Sequence, residues 1–159
     1  CPCGNYPDLN RCTCTTSQIQ KYVGKLSQPF LDRIDLCVEV QKVQYSDLAV
    51  TGKEEDSKII RERILKARQI QAERYQGEGI STNAQLSMQR MEEFCALSDS
   101  EKDIMEKAYE RLGLSARSYH KVLRVARTIA DLEEKENIEG KHLREALSYR
   151  NIDHGYRRQ

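Results

Sequence analysis

The chain has 159 residues with 26 Lys+Arg against 25 Asp+Glu, a formal net charge of +1, so it lacks the global basic excess of most nucleic-acid binders. Charged residues make up 32% and hydrophobic ones 38%, with no Trp and two Phe, which suits a helical protein with a modest apolar core and much solvated helix surface. No apolar run approaches the roughly 20 residues that cross a bilayer, and the first residues lack the basic and apolar regions of a signal peptide; the expected setting is cytoplasmic, reducing and without a membrane partner.

The chain opens on CPCGNYPDLNRCTC, with cysteines at 1, 3, 12 and 14. Gly4, Asn5, Pro7 and Asp8 between the two C-x-C pairs are turn formers that can fold the loop back on itself. Four clustered thiolates suit a tetrahedral zinc site, with Cys1, Cys3, Cys12 and Cys14 as ligands. Two disulfides or four free thiols are the alternatives, and a reducing compartment disfavours the disulfides. Cys37 and Cys95 stand in apolar settings and read as core residues.

Thr15, Thr16 and Ser17 supply cap hydroxyls for a short helix over SQIQKYVGKL, ending near Ser27. PFLDRI forms a junction. DLCVEV, residues 35–40, alternates through Leu36, Val38 and Val40 and reads as one strand. A strand needs partners for its backbone groups, so residues 1–50 are expected to be the tail of a larger sheet domain, and the chain a piece of a longer protein. A polar connection over 41–57, with Gly52 and an acidic run, marks the boundary to a helical domain over 57–152.

That second domain begins with a helix over 57–76, whose apolar positions Ile60, Ile64 and Ala67 recur at helical spacing. Ser87 is expected to cap MQRMEEFCA. Ser98 with Glu101 reads as a capping box for a helix that Gly113 ends. Ser115 caps the longest helix, over 116–134, and a last helix covers GKHLREALSYR. The 116–134 helix carries two adjacent apolar stripes, Ala116, Tyr119, Leu123, Ala126, Ala130 and Val122, Val125, Ile129, Leu132, so it belongs in the middle of a bundle. Its polar side aligns Arg117, Lys121, Arg124 and Thr128. Arg117 lies in the first turn, where backbone N–H groups also attract anions, so the row reads either as a phosphate site or as a solvated face. The histidines at 120, 142 and 154 are scattered and read as having no site role.

CPCG with its second C-x-C pair, then PFLDRIDLCVEV, then GLSARSYHKVLRVARTIADLE and LREALSYR resemble the C-terminal part of the Mg-chelatase-like AAA+ ATPases of the ComM/YifB family. The resemblance runs over residues 1–152. It implies a mainly α fold: a helical AAA+ lid bundle preceded by a small remnant, made of cysteine loop, helix and strand, of the α/β AAA+ core. It also implies a ring-forming ATPase, hexameric in the full-length protein, that uses ATP and Mg²⁺ and processes DNA by branch migration in recombination and competence. By position, Arg33 in LDRID matches the arginine finger that acts on the neighbouring subunit's nucleotide. Arg117 matches the sensor-2 arginine of the lid, with Arg124 as a further candidate for nucleotide binding and Arg127 as a lesser one. For Arg33 the alternative is a surface salt bridge with Asp32 or Asp35. The phosphate-binding loop and Walker B carboxylates of the family are missing from these residues, so the chain alone is expected neither to bind nor to hydrolyse ATP. The alternatives are the ATPase subunit of a metal chelatase in tetrapyrrole synthesis and a stand-alone zinc-knuckle adaptor.

Overall fold

A computed structural model describes residues 1–6, 8–38, 40, 43 and 55–150. Helix α1 (Thr16–Val23) starts on a reciprocal cap: the Gln18 N–H donates to the Thr15 hydroxyl, and the Thr15 N–H donates to the Gln18 side chain at 2.9 Å. A single turn, α2 (Gln28–Leu31), leads into the LDRID segment.

Helix α3 (Ser57–Arg74) begins at Asp56, whose carboxylate accepts the Lys58 N–H. Two short 3₁₀ turns, Asn83–Gln85 and Met88–Arg90, lead to α4 (Met91–Phe94). Helix α5 (Asp99–Leu112) ends at Gly113, whose φ of +56° is the left-handed cap that glycine adopts without strain. Helix α6 (Ala116–Leu132) and helix α7 (Gly140–Ser148) complete the order.

Helix α6 is the centre of the bundle, packed against both α3 and α7, while α5 packs on α7. Val122, Leu123, Ala126, Ile129 and Ala130 of α6 are buried, so the two stripes merge into one wide apolar face as expected. Met105 of α5, Leu143 and Ala146 of α7, Met91 of α4, and Tyr75, Leu86, Cys95 and Ile138 from the connections fill the rest of the core.

Four local expectations change. Ser98 is the N-cap of α5, but the expected capping box is not formed: its hydroxyl makes no cap bond and donates instead to the Glu101 carboxylate. The stripe on α3 buries only in its second half: Ala67 and Gln71 are buried, whereas Ile60 is 36% and Ile64 46% exposed. The helix expected after Ser87 breaks into a 3₁₀ turn and one α turn, and the Ser87 side chain makes no cap bond. Leu86, just before this segment, and Met91 and Cys95 within it are all buried. The strand expected over 35–40 is absent among its described residues, 35–38 and 40. With no strand among the described residues to pair with, the Cys37 N–H donates to the Tyr149 carbonyl just past α7 (3.1 Å), so Cys37 is held by the end of a helix.

Candidate functional site

Two arrangements stand out, a thiol cluster at the start of the chain and an arginine-bearing turn seated on α6. In the first, turns built on Gly4 (φ +78°) and on the Cys12 N–H to Asp8 carbonyl bond (2.8 Å) fold the loop back. The sulfurs of Cys1, Cys3, Cys12 and Cys14 all lie within 4.8 Å of one another. Cys1 and Cys3 are 3.4 Å apart, and each is 3.7 Å from Cys12. All four are free thiols. A tetrahedron with zinc–sulfur bonds of about 2.3 Å has sulfur–sulfur edges of about 3.8 Å, so the donor set fits a thiophilic tetrahedral ion. The Tyr6 N–H points at the Cys1 sulfur (3.3 Å). Backbone N–H groups of Asn5 and then Thr13 hold the Cys3 thiol down at about 6, which favours the thiolate that binds metal. Cys12 goes the other way: the Cys14 N–H lowers it, but desolvation and the nearby Cys3 raise it more.

In the second arrangement, the residues around Arg33 are anchored to the bundle. The Ser115 hydroxyl donates to one oxygen of Asp32 (3.0 Å) and the Ser118 hydroxyl to the other (3.1 Å). Ser115 is the N-cap of α6 and also accepts the Ser118 N–H. The anion at the positive end of α6 is therefore Asp32 of the same chain. Arg150 braces this contact, donating to the Ser118 hydroxyl (2.7 Å) and to the Ile34 carbonyl (2.6 Å), 3.7 Å from Asp32. Lys121 closes it, donating to the Arg33 carbonyl (2.5 Å) and pairing with Asp35 (2.7 Å).

Both aspartates that flank Arg33 are thus engaged by other residues. The Arg33 side chain is exposed and has no ion pair or hydrogen bond among the described residues. The salt bridge to Asp32 or Asp35 is not formed. Arg117, in the first turn of α6, is likewise exposed and without such a partner among the described residues.

The rest of the polar row on α6 is occupied within the fold. Lys121 holds the Arg33 turn, and Arg124 donates through Nε to the Leu86 carbonyl (3.1 Å). Thr128 donates to the Arg124 carbonyl (2.9 Å) and accepts from Asn83 (3.0 Å). Arg127, which has rotated out of the row, is buried and donates to Asp131 (3.1 Å) and to the carbonyls of Lys135 and Glu136.

Asp131 is the feature that residue patterns alone did not expose. It is fully buried. It accepts from Gln71 (3.1 Å), Arg74 (2.9 and 2.5 Å), Asn83 (2.8 Å) and Arg127, and so ties α3 and the 83–85 turn to α6. A carboxylate between the apolar positions Ala130 and Leu132 was the available signal. His142 is structural as well. It is fully buried, and its Nδ1 accepts the Glu139 N–H (2.9 Å) at the start of α7. Cys95 is buried as expected, and desolvation pushes its thiol up to about 11. Cys37, also expected in the core, is only half-buried and lies outside the core cluster, because its segment is anchored at the surface by the bond to Tyr149.

The helical bundle of residues 55–150 is consistent with the helical lid domain of an AAA+ protein. The chain belongs to the magnesium-chelatase family: the family described as "Magnesium chelatase, subunit ChlI C-terminal" matches residues 54–150, and "Magnesium chelatase, subunit ChlI" matches residues 1–48. Among curated proteins it is similar to the competence protein ComM of Haemophilus influenzae, 43% identical over 150 residues, 94% of this chain. It is similar also to YifB of Escherichia coli and of Salmonella typhimurium, each 37% identical over 96% of this chain. The chain spans 28% of the length of ComM and 29% of each YifB protein. No helix among the described residues is long and apolar enough to cross a membrane.

Proposed function

We propose that this chain is the finger-and-lid segment of a ring-forming ATPase of the ComM/YifB type, and that Arg33 acts in trans on the nucleotide of a neighbouring copy. The observation that carries this reading is the exposed Arg33 guanidinium on a turn whose neighbouring carboxylates both bond elsewhere. A delocalised cation held outward on a fixed turn suits the charge that grows on a transferring γ-phosphoryl group. Arg117 reaches the phosphates in both ground and transition states, and Arg124 supports it by holding the Leu86 turn against the same helix. The phosphate-binding loop and the Walker B carboxylates that hold ATP and Mg²⁺ are not among these residues, so the chain alone is expected to be inactive.

The work done by the ring is proposed as DNA processing in recombination or competence, with DNA as the partner. The support is the likeness to a relative named a competence protein. A second reading, the motor of a magnesium chelatase in the cytoplasm, is favoured by the family's description. DNA-stimulated turnover by the full-length protein supports the first; stimulation only by chelatase partners and a porphyrin supports the second. We also propose one structural zinc ion on Cys1, Cys3, Cys12 and Cys14, supported by sulfur separations that match a zinc–thiolate tetrahedron.

The ATPase reading is tested in the full-length protein by Arg33→Ala. Turnover is expected to fall roughly 10³-fold with nucleotide affinity little changed, whereas Arg117→Ala is expected to weaken both. Normal turnover by Arg33→Ala contradicts the reading.

A further inference from the structure

The bonds that seat the Arg33 turn on α6 have the form of a device for holding a charged tip in place. We infer that Asp32 is a positioning residue for Arg33: through Ser115, Ser118 and Arg150 its carboxylate locks the finger's turn to the first turn of the lid helix, so that Arg33 and Arg117 are delivered as one rigid unit. This rests on the ATPase reading above and adds a residue that the reading itself does not contain.

The physical argument starts from what else holds residues 32–35. Among the described residues before 55 none is buried, so the turn has no hydrophobic anchor of its own. Its fixed points are polar. Asp32 receives one hydroxyl on each carboxylate oxygen, both from the first turn of α6. Two backbone carbonyls of the turn, those of Arg33 and Ile34, are taken by Lys121 from α6 and by Arg150 from beyond α7. The Asp32 side chain is 15% and Arg150 5% exposed, so water competes weakly for these bonds. Such hydrogen bonds to charged groups are individually worth more than neutral ones.

Asp32 neighbours Arg33 in sequence but bonds away from it. The carboxylate therefore fixes the backbone of the turn that carries the guanidinium. Arg117 follows Ser115 by two residues, on the same first turn that Asp32 grips. A displacement of α6 that moves Arg117 must move the Arg33 turn with it. A finger contributes only where it meets the transition-state charge, and misplacement by about 1 Å can cost on the order of 10²-fold in rate.

The test uses the full-length protein and steady-state ATP hydrolysis. Asp32→Ala, and separately the Ser115→Ala/Ser118→Ala pair, are expected to lower kcat about 10-fold or more with KM for ATP unchanged within about twofold. Asp32→Asn keeps one oxygen acceptor and is expected to recover part of that loss. Amide exchange in the same variants is expected to quicken over residues 31–35 and at the start of α6, and nowhere in α5. The serine pair keeps the experiment decisive where Asp32→Ala does not fold. If Arg33→Ala is inactive while the Asp32 and serine variants keep wild-type kcat, the positioning role is overturned and the ATPase reading stands. A fall in kcat accompanied by an equal rise in KM and general loosening of the bundle also overturns it, since Asp32 is then only structural. If Arg33→Ala is itself fully active, it is the ATPase reading that fails.

Discussion

Residues 55–150 and residues 1–38 keep their shapes by different means. The first region has a core of buried apolar side chains centred on α6 and a buried ionic knot at Asp131. The second has no buried residue among those described. It is fixed by polar anchors, four converging thiols at one end and the Asp32 contact at the other. Burial supplies stability in proportion to apolar area and without direction. Charged hydrogen bonds supply direction, and they place a tip such as Arg33 where no core reaches.

The comparison breaks most severely at Asp131. Asp131→Ala leaves Arg127 and Arg74 without their buried counter-ion, and removing one partner of a buried pair costs about 3–5 kcal/mol. Denaturant unfolding of the chain is expected to show a loss of that size, with metal content unchanged. A loss below about 1 kcal/mol would mean that water replaces the carboxylate and that the knot is not what joins α3 to α6.

The opposite outcome is expected at the thiols. Protein prepared without chelator should carry close to one zinc per chain by elemental analysis. Cys12→Ser or a strong chelator should remove the metal and the exchange protection of residues 1–14, while the unfolding of 55–150 stays the same. Metal-free protein with four titratable thiols contradicts the zinc assignment, and a bundle that melts on chelation contradicts the separation of the two regions.

Alkylation sharpens the contrast. With metal stripped, iodoacetamide at pH 8 should modify the four N-terminal cysteines and spare Cys95 until the bundle unfolds. The Cys95 thiol sits at about 11 in the folded state against an ordinary value of 9.0. Because the folded value is the raised one, its contribution is complete below pH 9 and is lost as pH climbs toward 11. Rapid labelling of Cys95 in folded protein at pH 8 would mean that the site opens to solvent.

The smallest effect is expected at Gly113. The position has φ +56°, and a Cβ there would meet nothing within 4 Å. Gly113→Ala should therefore cost only the left-handed backbone strain, about 1 kcal/mol, read as a small drop in the unfolding midpoint. A change several times larger would mean that the cap is packed more tightly than this geometry allows.

The helices were legible because their signals are local. Ser115 and Gly113 start and stop helices where expected, and the two stripes of α6 define its buried face. The clustering of the four cysteines follows from chain proximity and turn formers. What was not legible depends on contacts between distant segments. Residues 35–40 alternate like a strand, but pairing needs a partner, and the segment lies instead against the end of α7 through the Cys37–Tyr149 bond. Lys121 and Arg124 share a face with Arg117, yet spacing cannot tell an open row of cations from one already bonded to Asp35 and to the Leu86 carbonyl. Asp131 and its donors are up to 60 residues apart in sequence. The Asp32–Ser118 bond spans 86.

The central claim is that Arg33 works across a subunit boundary, and mixed rings test it most directly. In the full-length protein, an Arg33→Ala subunit keeps a complete nucleotide site, while a subunit lacking its own Walker B carboxylate keeps a complete finger. Each alone should be inactive. Mixed in equal amounts under conditions where mixed rings are verified to form, they should regain a measurable fraction of wild-type ATP turnover, because some interfaces then pair an intact site with an intact finger. Mixed rings that form but stay inactive at every ratio would contradict action in trans and return Arg33 to the role of an exposed surface charge.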